Sequence, residues 1–394
     1  MTVFMEIRLS ERSSRFGENI FNRLDTIKSQ LLNEGRAVYN FSVGSPDFPP
    51  DEHVMKVVSE AALDPKNYSY TLGDIPELTE AARRWYKRRY GVTLDKDEIL
   101  GVYGSQEGIA HIALPLCDPG DVILVPDPYY AVFELGPFFC GAKIVHYPLS
   151  AENGWLPRLD EIPPETRRAA KAMLVSYPAN PICKTAPDSF YDELIAFAEE
   201  NEIFIIHDNA YSEIIYDGRR GGSFLAHKGA KEVGAEFNSL SKTYNIPGLR
   251  VSFILGNRAL IERFRAVRSQ IDYGACRIAQ LGAIAALDGP QDSVATHRKI
   301  YEERRNALCG GFRSIGWDFA DSEGTMFAWA KVPEGFKSSE EFVLELCRKT
   351  GVICTPGSSF GERGEGYVRF ALVLPAERIA EAVAAVGESG ILAK

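Results

Sequence analysis

The chain has little of what announces several common kinds of protein. Its seven cysteines, at 117, 140, 183, 276, 309, 347 and 354, are odd in number, and no two share a C-x-x-C spacing. That argues against a disulfide framework or a zinc site and reads as reduced thiols, with no metal expected. No apolar run approaches the roughly 20 residues that a membrane helix needs. The opening run Met1-Thr2-Val3-Phe4-Met5-Glu6-Ile7-Arg8 lacks the apolar core of a signal peptide. There is no cluster of Lys and Arg, and 44 basic residues face 54 acidic ones, for a net charge of −10. Nucleic acid and anionic membrane are therefore poor candidate partners. Internal repeats and low-complexity stretches are missing too. A cytoplasmic protein is the expectation.

What is there is a chain of 394 residues, 45% hydrophobic and 25% charged. That length is too great for one small core and suggests a large domain with a smaller one. Short apolar runs at 122–125, 172–175, 203–206, 237–240 and 251–255 alternate with helix-like segments. Between the second and third runs, Phe190, Leu194, Phe197 and Ala198 fall on one helical face, with Asp188 as a candidate N-cap. Near-continuous apolar strands alternating with helices predict an α/β fold whose mostly parallel sheet is covered on both faces. The C-terminal third changes character. Helices are expected over 304–315 and 339–351 and strands over 327–332 and 366–374. Pro375 suits the first turn of a helix that carries Ile379, Val383 and Val386 on one face. This reads as a smaller α+β domain, joined by the first 40–50 residues of the chain. The boundaries drawn are 1–50 with 290–394 for the small domain and 51–289 for the large one.

Lys242 lies in Ser239-Leu240-Ser241-Lys242-Thr243-Tyr244-Asn245-Ile246-Pro247-Gly248-Leu249-Arg250, just after a strand-like stretch. A lysine buried at a strand end is costly unless it is neutralised or used. Ser239, Ser241 and Arg250 offer hydroxyls and a planar fork of N–H groups, which suit a phosphate ester. A lysine beside a phosphate clamp points to a phosphorylated aldehyde held as a Schiff base, pyridoxal 5′-phosphate (PLP).

Other residues complete that chemistry. Ligands of open α/β sheets bind beyond the carboxyl ends of the strands, where Asn180, Asp208 and Lys242 all fall. Asp208, ending a buried strand, would suit a protonated pyridinium nitrogen; the alternative is an N-cap for a following helix. Tyr211 and Asn180 could each donate to the phenolate oxygen of the cofactor. Gly104, Ser105 and Gln106 precede a helix expected over 109–116, a setting that suits phosphate. Tyr130 is placed to stack on a flat ring, with Tyr129 and Phe133 as rivals. Arg369, inside an apolar strand pattern, calls for a bidentate carboxylate, either a substrate's or that of a structural ion pair.

Order, strand placement and the 239/242/250 spacing resemble the class I and II aminotransferases of PLP fold type I. The likeness runs from Val43-Gly44-Ser45-Pro46-Asp47-Phe48 to Thr355-Pro356-Gly357-Ser358-Ser359-Phe360-Gly361 and Arg369. It implies that Lys242 carries the cofactor and that Asp208 pairs with its ring nitrogen. Asn180 and Tyr211 would hold the phenolate oxygen, and Ser105, Gln106, Ser239, Ser241 and Arg250 the phosphate. Gly44 and Arg369 would bind the substrate α-carboxylate. Tyr68 would reach the phosphate of a neighbouring subunit, so a homodimer is implied; Tyr70 is its rival. One departure is the run after Asn180-Pro181, which is Ile182-Cys183-Lys184-Thr185-Ala186 where the family commonly has Thr-Gly. Gly104 to His111 and Asp127-Pro128-Tyr129-Tyr130 look most like LL-diaminopimelate aminotransferases and their alanine- or aspartate-using relatives. Ile271-Asp272-Tyr273-Gly274 is a candidate specificity segment. The reaction implied is ping-pong exchange of an amino group between an amino acid and a 2-oxo acid. The alternatives are a PLP-dependent carbon–sulfur β-lyase and, from another class, a ligand-sensing regulator without turnover.

Overall fold

The computed structural model describes residues 7–16 and 20–393, so residues 1–6 of the segment weighed above as a leader lie outside the described residues. Its strands are β1 (Tyr39–Asn40), β2 (Ile99–Val102), β3 (Val122–Asp127), β4 (Lys143–Pro148), β5 (Ala170–Ser176), β6 (Phe204–Asn209), β7 (Gly234–Ser239), β8 (Ser252–Gly256), β9 (Phe327–Lys331), β10 (Val352–Ile353), β11 (Thr355–Pro356) and β12 (Tyr367–Ala371).

Seven of them form one sheet in the order β2-β8-β7-β6-β5-β3-β4. Its inner strands are buried along almost their whole length because helices cover both faces; Ala172, Met173 and Val175 of β5 are fully buried. All the strands run parallel except β8, which is antiparallel to both neighbours, β2 and β7. That reversal matters for the site. The chain enters β8 at the rim where β7 ends, Ser252 lying opposite Ser239. Arg250, just ahead of β8, is therefore delivered to the same rim as Lys242.

The smaller layer is a three-stranded antiparallel sheet, β11-β12-β9. The chain's early part lies beside it: β1 and β10 form a separate two-stranded parallel sheet, the Phe41 N–H donates to the Ile353 carbonyl at 2.7 Å, and the Ala371 N–H of β12 donates to the Phe41 carbonyl at 2.7 Å. The helix Ile20–Asn33 packs on the helix Ser339–Thr350. The stretch before it goes elsewhere. Arg15 pairs with Glu134, and Phe16 meets Phe138 and Phe139 on the helix Val132–Cys140 of the large sheet.

Several local expectations are corrected. The helix Asp188–Asn201 buries Phe190, Leu194, Phe197 and Ala198, but Pro187 is its N-cap and Asp188 lies in the first turn. The helix expected over 304–315 spans Asp292–Ser314. Its first half is largely charged and buries only Val294 and Tyr301 before Arg304, so the apolar period is faint there. Pro375 caps the helix Ala376–Glu388 from outside its first turn. The segment expected as one helix over 109–116 begins earlier, as Ser105–His111, and continues as a separate turn, Ala113–Leu116. No helix starts beside Asp208, the next being the short 3-10 turn Phe224–Ala226 capped by Ser223, which removes the N-cap reading of Asp208.

Candidate active site

β7 gives way at once to the short helix Leu240–Thr243, with Ser239 as its N-cap and the Ser239 Oγ accepting from the Ser241 N–H at 3.3 Å. This turn aims Lys242 into a cleft of about 500 Å³. Its Nζ donates to the Gly44 carbonyl at 2.8 Å. Burial, with the positive charges of Arg369 and Arg250 added, lowers the amine to about 8. A lysine near neutrality can serve both as nucleophile and as proton carrier.

Asp208, near the end of β6, lines the same cleft. Its Oδ1 is buried with no hydrogen-bond partner among the described residues. Burial pushes the carboxyl up to about 7, and the charge of Glu236 adds to that. An orphaned carboxylate oxygen is costly until a cationic N–H meets it. A pyridinium nitrogen meets that need, and this is the strongest sign that the cleft suits PLP. Ser105 Oγ is a second buried orphan in the cleft, at the end that suits phosphate.

That end gathers Ser105, Gln106, Ser239, Ser241 and Arg250. Gly104, just ahead of Ser105, has φ of +83°, a conformation that favours glycine, and a side chain there would overlap the Arg250 guanidinium. Arg250 itself has φ of +56°. Its two terminal nitrogens donate to the carbonyls of Pro247 and Tyr103, each at 3.0 Å, which ties the turn before β8 to the turn after β2.

The opposite end holds Arg369. Its NH1 donates to Asn180 Oδ1 at 2.7 Å and its NH2 to the Ser42 carbonyl at 3.3 Å. The guanidinium lies 4.1 Å from the centre of the Phe327 ring and 4.5 Å from that of Phe360. Burial lowers it to about 10. No carboxylate partners it among the described residues, so the ion-pair alternative fails and a substrate acid fits the vacancy in its charge balance. With Oδ1 engaged, Asn180 keeps its amide nitrogen as the donor it can offer a ligand. Gly44 is held by the Lys242 bond. The carboxylate of nearby Asp47 takes two bonds from Arg304, at 2.7 and 2.8 Å. A side chain at Gly44 would collide with the Phe327 ring.

The tyrosines divide. Tyr130 lines the cleft, its hydroxyl donating to Gln106 Oε1 at 3.0 Å. Its rivals do not: Tyr129 stacks on His146 and Phe133 is buried in the core. Tyr211 lines the cleft and meets Phe327 edge-on. Tyr68 and Tyr70 do not line it. Tyr68 donates to the Ala62 carbonyl at 2.7 Å, and Tyr70 is 87% exposed. The segment 271–274 also stays outside it, with the Gly274 N–H donating to the Thr71 carbonyl at 2.8 Å. Ser42, Phe327 and Phe360, which position Arg369, escaped the sequence reading. One acts through its backbone and two look like ordinary core residues; the available hints were that 327 opens a strand and that Phe360 sits in the run 355–361 that shares in the resemblance.

Among the described residues no three His, Cys, Asp or Glu side chains gather in a metal-like group, and the seven cysteines are free thiols. No described helix is long and apolar enough to cross a membrane.

Fold and cleft together define a PLP enzyme of fold type I. A model of the family "Aminotransferase class I and II" matches residues 36–386. The chain belongs to that family and is a PLP-dependent aminotransferase. It is 42% identical to an LL-diaminopimelate aminotransferase of Moorella thermoacetica, over 92% of this chain and 94% of that one. Among solved structures it is similar to substrate-bound BacF of Bacillus subtilis, with TM-score 0.92 and 33% identity over 98% of each chain. A probable N-succinyldiaminopimelate aminotransferase of Thermus thermophilus matches with TM-score 0.88 and 34% identity, over 94% of this chain and all of that one.

Proposed function

We propose that the chain exchanges amino groups between an amino acid and a 2-oxo acid by a ping-pong cycle. LL-diaminopimelate is the first donor to test, with alanine and aspartate next. The observation that carries this reading is the meeting of the Lys242 amine, the unpartnered Asp208 oxygen and the Arg369 guanidinium in one cleft. The choice of donor is supported by the name of the Moorella relative.

Bound PLP supplies an aldehyde to take up the amine and a ring to accept the electron pair released at Cα. Ser105, Gln106, Ser239, Ser241 and Arg250 would grip its phosphate, and Tyr130 would lie against its ring. Asp208 would keep a proton on the ring nitrogen, and Asn180 and Tyr211 would donate to the phenolate oxygen. Arg369 and the Gly44 backbone orient the substrate carboxylate, which leaves the Cα–H facing the lysine. The Lys242 amine, when neutral, would serve as the base and proton carrier at Cα. The domains divide at 50/51 and 289/290, and the enzyme works in the cytoplasm as a homodimer in which Tyr68 reaches the neighbouring phosphate. The exposure of Leu63, Tyr68, Tyr70 and Leu72 on one segment supports a covering subunit.

The test is borohydride trapping of the purified protein followed by peptide mass analysis. A pyridoxyl adduct at Lys242 is expected; a colourless protein that takes up no PLP would end the proposal. Donors are then screened against 2-oxoglutarate and pyruvate. Pyruvate and ammonia released from cystathionine with no oxo acid present would make the protein a β-lyase instead.

A further inference from the structure

A second cavity, of about 340 Å³, lies away from the cleft, lined by residues of the helices Pro76–Tyr90 and Asp292–Ser314 and of the stretch after Tyr211. Four arginines line it: Arg88 and Arg89 from the end of the first helix, Arg298 from the second, and Arg220. Glu213 is the one carboxylate in the lining, and it is already committed. Arg89 Nε donates to it at 2.8 Å and the Tyr90 hydroxyl at 3.2 Å. The remaining reach of Arg89 goes to the Gly221 carbonyl, at 3.1 Å. Arg88 is occupied as well, donating to the Leu287 carbonyl at 2.7 Å beside Asp288. The side chains of Arg220 and Arg298 have no hydrogen bond or ion pair among the described residues.

This is an odd balance for a chain with ten more acids than bases, where a carboxylate could easily stand opposite each guanidinium. Glu213, bonded to Arg89, and Asp288, 3.9 Å from Arg88, answer two of the four charges, and those of Arg220 and Arg298 face the hollow with no counter-charge among the described residues. The guanidinium fork matches the geometry of a multiply charged oxyanion, whether phosphate or carboxylate.

We propose that this cavity binds a small, multiply charged oxyanion, a phosphate compound or a polycarboxylate, between the two free forks of Arg220 and Arg298. Nothing in the amino-transfer reaction calls on these residues, so the site is additional to the cleft. Its ligand would be recognised by charge and fork geometry, with Arg88 and Arg89 adding field from positions they already hold.

The holoenzyme, its phosphate cradle filled by PLP, is titrated calorimetrically with inorganic pyrophosphate and, separately, with citrate. One site per chain is expected for at least one of them. Its affinity should fall about tenfold or more in R220A/R298A, where two charge-assisted contacts are gone. The absorption of bound cofactor should not change. Saturation by pyrophosphate alone assigns a phosphate compound, and by citrate alone a polycarboxylate. Should the double variant not fold, Arg220→Gln, at an exposed position without a partner, serves in its place. Absence of binding by either anion, or affinity unchanged in the variants, overturns the proposal.

Discussion

The cleft floor and the exposed stretch from Leu63 to Leu72 are built on opposite terms. On the floor each functional group is aimed by another, whether buried like Arg369, half-buried like Lys242 or exposed like Arg250: Lys242 by Gly44, Arg369 by Asn180 and Ser42, Arg250 by Tyr103 and Pro247. On the stretch, Leu63, Tyr68, Tyr70 and Leu72 are 69–87% exposed. Among the described residues, Tyr68 bonds to the preceding helix and Tyr70 meets the ring of Tyr273. The floor is preorganised by one chain, so its chemistry should respond to single substitutions in proportion to their distance from the reacting atoms. The stretch carries apolar surface that a single copy leaves uncovered, so its contribution should depend on association.

The sharpest break is Lys242→Ala. If the Lys242 amine both captures the cofactor and moves the proton, removing it should lower kcat by about four orders of magnitude, with the fold retained. Steady-state turnover and circular dichroism check both halves; turnover within tenfold of the parent would refute the role. Asp208→Ala comes next, with a loss of about a thousandfold, because the ring nitrogen then loses its proton-holding partner. The same variant removes a buried, unpaired carboxylate, so the cofactor-free protein should be no less stable in a urea melt, an outcome that separates function from folding.

Arg369→Leu should raise KM for every carboxylate substrate by about a hundredfold, the loss of a charge-assisted pair, while PLP still binds. It also tests the electrostatics of the floor. Capture of PLP by the cofactor-free protein needs a neutral Lys242 amine, which burial and its cationic neighbours hold at about 8. The neutral fraction grows about tenfold per pH unit below that value and levels off above it. The capture rate should therefore climb from about pH 6 and flatten past 8. Without the Arg369 charge the ammonium form is less disfavoured, so the break should move to higher pH in Arg369→Leu. A break that stays put, followed by stopped-flow absorbance, would mean that Arg369 does not act on the amine.

The same contrast explains what the sequence could reveal. β5 and β6 were legible because burial on both faces leaves unbroken apolar runs, 172–175 and 203–206. The edge strand β4, only partly buried, and the short β2, interrupted by Gly101, carry no such run. The reversal of β8 was invisible, since apolar periodicity says nothing of direction, yet it is what brings Arg250 to the rim. Lys242, Asp208 and Arg369 stood out because charge inside an apolar strand pattern is expensive. Ser42, Phe327 and Phe360 did not, because a backbone carbonyl and two core-like rings leave no chemical mark on a sequence.

The smallest effect lies on the exposed stretch, and it decides between two residues. Tyr68→Phe removes one hydroxyl. If that hydroxyl serves a phosphate across a subunit boundary, PLP affinity should fall by up to about tenfold, the worth of one hydrogen bond to a charged group. Tyr70→Phe should then leave affinity unchanged, and the reverse result would transfer the role to Tyr70. In the chain itself Tyr68 donates to the Ala62 carbonyl, a partly wet contact at a helix end whose loss should hardly alter stability. PLP affinity measured over a range of protein concentrations makes the test specific. A hydroxyl acting from the neighbouring subunit contributes only where the chains are associated, so the difference between parent and Tyr68→Phe should shrink on dilution below the dissociation constant of the dimer. A difference that persists unchanged in monomeric protein would place the hydroxyl's partner within one chain and remove the reason for assigning this stretch to the interface.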